Sequence, residues 1–133
     1  MTAPTPGAYI KMRRCAAGFS VADVAARLQA EPHIDERGRV EWLELIEADA
    51  QPCALATIVA LRRIFPFDLD VLVALERIAQ GSTETPPMIC RICGCSELDA
   101  CDEGFGHGCA WVEPGLCSCC TGRAKNDALE AAA

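Results

Sequence analysis

Apolar residues recur at helical spacing over the first 79 residues, and glycine or proline interrupts the pattern at short intervals. The pattern predicts five helices, at residues 7–17, 21–30, 40–50, 53–64 and 69–79. Ser20 and Asp68 stand where N-cap residues belong, and Gly18 follows the first helix as a terminator. The polar stretch 31–39 contains a proline and a glycine, so it predicts a long turn before the third helix.

The periodic pattern ends near residue 80. Residues 80–88, "QGSTETPPM", are polar with two prolines, which is typical of a linker. Residues 89–122 are rich in cysteine and glycine and show almost no periodicity, and residues 123–133 form a tail. The expected fold is mainly α: a five-helix domain over residues 1–79, then a small irregular or β-ribbon cysteine-rich module.

The composition of the 133-residue chain is globular, with 51% hydrophobic and 23% charged residues. The net charge of −7 argues against gripping nucleic acid through bulk electrostatics, although a locally basic face is compatible with it. No segment has the length of a membrane span, and the first residues do not resemble a secretory signal. We therefore expect a cytoplasmic protein without membrane contact, whose reduced cysteines bind metal rather than form disulfides.

Eight of the ten cysteines fall between residues 89 and 120. Two C-x-x-C pairs frame this segment, Cys90 with Cys93 and Cys117 with Cys120, and a glycine follows each pair closely. Two residues between cysteines allow both sulfurs to reach one ion from a tight turn, and two such turns supply four thiolates to a tetrahedral ion. These four cysteines predict a first, structural zinc site.

Further ligand candidates lie between the two pairs. They are enough for a second four-ligand site, or for ligands shared with the first: Cys95, Cys101, His107 and Cys109. The simpler interpretation is one zinc ion and some spare buried thiols. A 4Fe–4S cluster is the alternative cofactor, since thiolate-rich sites suit both. Trp111 is expected to pack over the site, and Cys15 and Cys53 are expected to be buried small residues in the helical domain.

The first 79 residues also carry a resemblance. The stretches "YIKMRRCAAGFSVADVAARL", "LELIEADAQPCALATIVALRRIF" and "FDLDVLVAL" resemble the lambda-repressor/Cro-like, or XRE-type, helix-turn-helix family. Ala25 in the second helix, the Ile46–Glu47 pair and Pro52 before the fourth helix match the family pattern. The resemblance implies a DNA-binding transcriptional regulator that forms a homodimer and places its third helix in the major groove.

Candidate DNA-binding residues follow from that resemblance and from charge: Lys11, Arg13, Arg14, Ser20, Arg37, Arg39, Glu41 and Trp42. The predicted start of the third helix differs from the family, because Val40, Glu41 and Trp42 stand where base-reading polar groups are usual. The acidic side chains of this predicted third helix would repel the phosphates of DNA. The alternative function is therefore an acidic adaptor that keeps the helical fold but binds a host or phage protein.

The cysteine segment resembles a small module of phage and prophage proteins. The stretches "CRICGC", "DAC" and "GCAWVEPGLCSCC" carry this resemblance, and Cys119 falls on a variable position of the pattern. It implies metal binding and a phage or bacterial setting. No phosphate-binding loop or nucleophile motif is present, so no enzyme is expected. The predicted function is DNA-binding regulation with a zinc module for dimerisation or partner contact; an iron–sulfur redox sensor is the second alternative.

Overall fold

The computed structural model describes residues 3–28, 34–102 and 108–121. It contains five α-helices, followed by a two-stranded sheet and a short 3-10 turn: α1 (Pro6–Ala16), α2 (Val21–Arg27), α3 (Glu36–Glu47), α4 (Leu55–Arg62), α5 (Leu69–Ala79), β1 (Trp111–Glu113), β2 (Leu116–Cys117) and η1 (Ser118–Cys120). The prediction of a mainly helical chain with a small cysteine-rich segment is thereby confirmed.

The first two helices begin at side-chain caps. The Thr5 hydroxyl accepts a hydrogen bond from the Ala8 amide, and Pro6 occupies the first helical position, where a missing N–H costs nothing. Ser20 caps α2 as predicted, in a reciprocal arrangement with Asp23. Backbone and hydroxyl hydrogen bonds from Ser20 lower the pKa of Asp23. Helix α1 ends before Gly18, whose positive φ of 83° suits glycine.

Helix α3 begins earlier than the sequence pattern predicted. Asp35 caps it by accepting from the Gly38 amide, so residues 36–39 belong to the helix rather than to a turn. Residues 31–33 of the expected turn lie outside the described residues. Arg39, now inside the helix, donates to the carbonyl oxygens of Ala25 at 2.7 Å and of Ile34 at 2.6 Å. This arginine ties the end of α2 to the start of α3.

The last two helices differ from each other in how well the sequence predicted them. Helix α4 is shorter than residues 53–64, and its N-cap Ala54 provides no side-chain hydrogen bond. Helix α5 has the predicted bounds, because Asp68 Oδ1 accepts from the Asp70 and Val71 amides. An N-cap side chain thus defines the first residue of a helix more sharply than a proline shortly before the helix does.

The helices enclose one aliphatic core with three aromatic side chains. Its buried members are Tyr9, Ile10, Val24, Leu28, Leu43, Ile46, Leu61, Phe65, Phe67, Val71, Leu72, Leu75 and Ile89. A buried ion pair stands beside it: Arg14 donates two hydrogen bonds to the Glu47 carboxylate, at 2.6 and 2.8 Å, and a third to the Phe19 carbonyl. The Glu47 hydrogen bond raises the pKa of Arg14.

The cysteine-rich segment is mostly irregular. Its antiparallel ribbon pairs Trp111 with Cys117 and Glu113 with Leu116, with an irregularity between the two pairs, and Gly115 turns the chain at a φ of 82°. Its buried cluster consists of Cys90, Cys93, Cys95, Leu116, Cys117 and Cys120. Among the described residues of this segment, one leucine beside five cysteines is little buried apolar material, so the segment needs a second source of stability.

Residues 81–88 form neither helix nor strand. Among the described residues, no helix combines the length and apolar character needed to cross a bilayer. The chain after this stretch returns to the helical domain, because Ile89 belongs to the helical core.

Candidate metal centre

The first C-x-x-C pair lies on a tight turn that the sequence builds locally. The Gly94 amide donates to the Cys90 carbonyl at 2.9 Å, and the Cys90 amide donates to the Cys95 carbonyl at 2.9 Å. Gly94 has a φ of 76°, which L side chains rarely adopt. This turn brings the Cys90 and Cys93 sulfurs to the same side of the chain.

The second pair lies where the ribbon ends. Strand β2 finishes at Cys117, and the 3-10 turn η1 brings Cys120 back beside it. The sulfurs of Cys90, Cys93, Cys117 and Cys120 all lie within 4.8 Å of one another, and all four residues are buried. These cysteines could hold a metal ion, as the sequence predicted.

A second group of four cysteines overlaps the first. Its members, again within 4.8 Å of one another, are Cys93, Cys95, Cys101 and Cys117. The sequence left open a separate site with Cys109 and His107 or ligands shared with the first site, and the structure groups Cys95 and Cys101 with Cys93 and Cys117, as sharing requires. Cys95 is buried two positions after Cys93, and its amide donates to the Cys93 sulfur at 3.4 Å. His107 lies outside the described residues.

The remaining residues near the centre are more peripheral. Cys109 is half-buried, with its sulfur 3.7 Å from that of Cys95, and it accepts a hydrogen bond from the Cys101 amide at 3.3 Å. Cys119 is exposed. Trp111, which was expected to cover the site, lies in the exposed strand β1 and lines a cavity of about 420 Å³ with Met88 and Cys109.

Burial and hydrogen bonding divide the thiols into two classes. Burial raises the pKa of Cys93, Cys95, Cys101 and Cys120. Burial acts the same way on Cys90 and Cys117, but backbone and thiol hydrogen bonds outweigh it and lower both pKa values, that of Cys117 to about 6. Crowded thiolates repel one another, so full ionisation of the cluster requires a cation among the sulfurs.

The centre is fastened to helix α1 by an arginine. Arg13 Nη1 donates to the carbonyl oxygen of Cys93 at 2.9 Å, and Nη2 forms an ion pair with Asp99 at 3.0 Å that is not aligned as a hydrogen bond. A Cβ at Gly94 would meet Arg13 Cδ at 3.1 Å and Met12 Cβ at 3.3 Å. The cysteine turn therefore lies directly against α1.

A second contact joins the centre to helix α5. The Ser96 hydroxyl donates to Asp68 Oδ2 at 2.7 Å, and the Asp68 amide donates to the Tyr9 hydroxyl at 2.8 Å. Burial raises the pKa of Tyr9 to about 12. The roles of Ser96 and Asp99 could not be predicted from the sequence, because both residues act on partners far away along the chain.

The residues predicted to bind DNA fall into different environments. Arg13 and Arg14 are buried, each less than a tenth exposed, and their guanidinium groups are used within the fold. Arg39 is half-buried on two carbonyl oxygens, and Trp42 is half-buried against the helical core. The three guanidinium groups are therefore engaged by other groups of the fold, and the half-buried Trp42 packs against the helical core.

The other four predicted residues are exposed. Lys11 lies on α1 and Ser20 is the α2 cap. On α3, Arg37 and Glu41 form a loose ion pair at 3.6 Å, with side chains 89% and 66% exposed. Glu36 and Glu44 are also exposed on this helix, as is Leu45. The exposed face of α3 is therefore acidic with an apolar residue, and Arg37 is its one exposed cation.

Two expectations for isolated cysteines have different outcomes. Cys15 was expected to be buried, but it is exposed on α1. Cys53 is half-buried against the helical core, and burial raises its pKa to about 11. All ten cysteines are free thiols in the structure.

The roles of these residues rest on geometry and chemistry alone. Comparison of the chain with protein-family models, curated proteins and solved structures found no match.

Proposed function

We propose that the chain is an acidic adaptor of phage or bacterial origin, whose α3 face binds a basic surface of a partner protein and whose cysteine-rich segment is held by structural zinc. The acidic face of α3 carries the proposal. Glu36, Glu41 and Glu44 are exposed there, and Arg37 is already paired with Glu41. Such a surface attracts a basic partner and repels phosphates.

In the XRE-type regulators that this chain resembles, the third helix enters the major groove. The charge of the α3 face therefore bears directly on whether this chain binds DNA. Affinity for DNA depends heavily on cations that neutralise phosphates. In this chain Arg13 and Arg14 are buried in the fold, and Arg39 holds two carbonyl oxygens. The geometry therefore supports a helical scaffold adapted to bind protein.

The spacing of the sulfurs supports zinc over an iron–sulfur cluster. Around one tetrahedral zinc, with bonds of about 2.3 Å, sulfurs lie about 3.8 Å apart. In a 4Fe–4S cluster each thiolate binds a different iron, so the sulfurs stand much farther apart. Sulfurs within 4.8 Å of one another match a single ion. Four thiolates leave no open position for water, which supports a structural role.

The second candidate is the DNA-binding regulator that the resemblance implies. Helices α2 and α3 pack against each other, and the N-terminus of α2 is exposed at Ser20. Lys11 and Arg37 are exposed cations that could contact phosphates. This candidate requires α3 to approach DNA despite its three exposed carboxylates.

Selection of binding sites from a random duplex DNA library, with metal-loaded full-length protein, separates the two functions. We expect no enriched sequence and no retained fragment, even at low salt. A fragment whose affinity falls steeply with salt, and falls further in Lys11→Glu or Arg37→Glu, would establish the regulator instead.

Charge reversal on α3 tests the adaptor directly. We expect a discrete bacterial protein to be captured from lysate by the wild-type chain, and capture to fall at least about tenfold in the Glu41→Lys/Glu44→Lys variant. Asp70→Lys/Glu97→Lys changes the net charge equally at exposed sites outside α3, so it should capture normally. Equal capture by both variants would contradict a role for the α3 face.

A second copy of the chain is the partner that we propose for another surface. Leu55 and Val59 on α4, and Leu69 and Val73 on α5, are 40–76% exposed at one-turn spacing. Three of these residues line an apolar cleft of about 680 Å³. Exposed apolar surface of this kind marks an interaction site, and we propose a second copy as its occupant because the resemblance implies a homodimer. Sedimentation should show a dimer that Leu55→Glu/Val73→Glu converts to a monomer; a monomeric wild type would refute it.

A further inference from the structure

The two groups of cysteine sulfurs are not independent sites. Cys93 and Cys117 belong to both groups, so six residues make up two sets of four. Cys90 and Cys120 belong only to the first group, and Cys95 and Cys101 only to the second. Two separate four-thiolate sites would need eight cysteines, and the shared pair reduces the requirement to six.

The measured distances suit two tetrahedra that share an edge. The shared edge joins the sulfurs of Cys93 and Cys117, which lie 3.8 Å apart. An edge of the second tetrahedron joins Cys93 to Cys101 at 3.6 Å. Both values are close to the separation of about 3.8 Å that bonds of about 2.3 Å to one zinc ion impose. The sulfurs are therefore spaced for ligation on both sides of the shared edge.

Charge also favours sharing in this buried position. Two zinc ions with six thiolates carry half the net negative charge that two separate four-thiolate sites would carry. Burying less uncompensated charge costs less free energy. The Cys95 amide points at the Cys93 sulfur at 3.4 Å, so a backbone donor also supports one of the shared thiolates.

Cys109 stands outside this arrangement. Its sulfur lies near that of Cys95 and accepts the Cys101 amide, but it belongs to neither group of four. This hydrogen bond fixes the position of the Cys101 backbone beside the second group.

We infer that the cysteine-rich segment binds two metal ions as one binuclear cluster, with Cys93 and Cys117 as bridging thiolates. The terminal ligands are Cys90 and Cys120 on one ion and Cys95 and Cys101 on the other. This inference rests on the proposed structural zinc. It adds that two ions are bound and that two thiolates bridge them.

The test uses the full-length protein, first with zinc and then with isotopically pure cadmium-113 in its place. We expect metal analysis to give two zinc ions per chain. Cadmium NMR should show two resonances in the thiolate range, split by coupling through the bridging sulfurs. One ion per chain, or two uncoupled resonances, would overturn the binuclear cluster while leaving structural zinc intact. Absence of bound metal would refute both.

Serine variants assign the ligands. Cys101→Ser should weaken only the second ion, whereas Cys93→Ser should weaken both, since its sulfur bridges them. Cys15→Ser is the matched control, because Cys15 is exposed on α1 and belongs to neither group. Cys109→Ser should keep two ions. Loss of an ion in that variant would overturn the six-ligand arrangement. The wild-type spectrum decides the main point even if a variant fails to fold.

Discussion

The helical domain and the cysteine-rich segment are held together by different means. The helical core buries thirteen apolar side chains, including three aromatic rings. The buried cluster of the other segment has five cysteines and one leucine. Hydrophobic burial of about 25 cal/mol per Å² can stabilise the first region, but the second offers little apolar area to bury. The proposed metal–thiolate bonds would supply stabilisation of comparable size.

The contacts between the two regions depend on both kinds of stability. Arg13 connects helix α1 to the carbonyl of a cysteine in the metal centre. Ser96 connects the segment to the capping residue of α5. Loss of the proposed metal would therefore disturb the surface of the helical domain and release Ile89 from its core, while the other twelve core side chains would stay packed together.

Metal removal gives the largest expected effect. Chelation under reducing conditions should unfold residues 89–121, since structural zinc supplies on the order of 10 kcal/mol of folding free energy in small modules. Limited proteolysis should cut this segment rapidly while a fragment near residues 6–79 resists and keeps its helical circular dichroism. If the segment stayed resistant to the protease without metal, the proposed difference in how the two regions are stabilised would be wrong.

The buried ion pair should show the next largest effect. Arg14→Met leaves the Glu47 carboxylate buried without its partner, so we expect a loss of about 3–5 kcal/mol in urea unfolding. The double variant Arg14→Met/Glu47→Leu should recover most of it. Arg37→Met removes an exposed cation from the Arg37–Glu41 pair and should cost less than about 1 kcal/mol. Equal losses of unfolding free energy in Arg14→Met and Arg37→Met would show that burial of an ion pair does not determine its contribution to stability in this protein.

High pH probes the helical core through its single tyrosine. Tyr9 has a pKa of about 12 in the folded chain against about 10 when unfolded, so the folded state keeps its proton longer. Stability should therefore fall as pH rises from about 10, by roughly 2–3 kcal/mol at pH 12. Because Tyr9 is the only tyrosine, tyrosinate absorbance reports it alone. Tyr9→Phe should lack this contribution to the slope, and a native midpoint near 10 would contradict the prediction.

A pair of glycine variants measures the contact between the regions. Gly94→Ala and Gly18→Ala place a side chain at similar positive φ values, of 76° and 83°. An added Cβ meets Arg13 and Met12 only at Gly94, and nothing within 4 Å at Gly18. Gly94→Ala should therefore cost about 1 kcal/mol more, from the lost fit against α1. Equal midpoints in urea would mean that the cysteine turn does not press on this helix.

Sequence alone predicted features whose causes are local. The bounds of α5 followed from Asp68, and the first group of candidate metal ligands followed from two C-x-x-C spacings. The start of α3 was missed because Gly38 suggested a turn, while the Asp35 cap that begins the helix was overlooked. Glycine within a first helical turn costs about 1 kcal/mol, which one capping bond offsets.

Features with distant causes could not be predicted in this way. Arg14 finds its partner 33 positions away, and Arg13 finds the Cys93 carbonyl 80 positions away. An arginine in a sequence is usually an exposed cation, so both were assigned to DNA. The overlap of the two cysteine groups could not be predicted either. The spacing of cysteines along the sequence determines which sulfurs lie on the same turn, but it does not determine which turns pack together.

Asp68 links helix α5, the cysteine-rich segment and helix α1 through a single side chain and its backbone amide. One carboxylate oxygen starts helix α5, the other receives the Ser96 hydroxyl, and the backbone amide engages Tyr9. Truncation within the polar stretch 80–88 would remove the Ser96 hydroxyl from this aspartate, the Cys93 carbonyl from Arg13, and Ile89 from the helical core. The polar stretch is therefore a poor place to divide the protein, and the two halves should be expressed and studied as one piece.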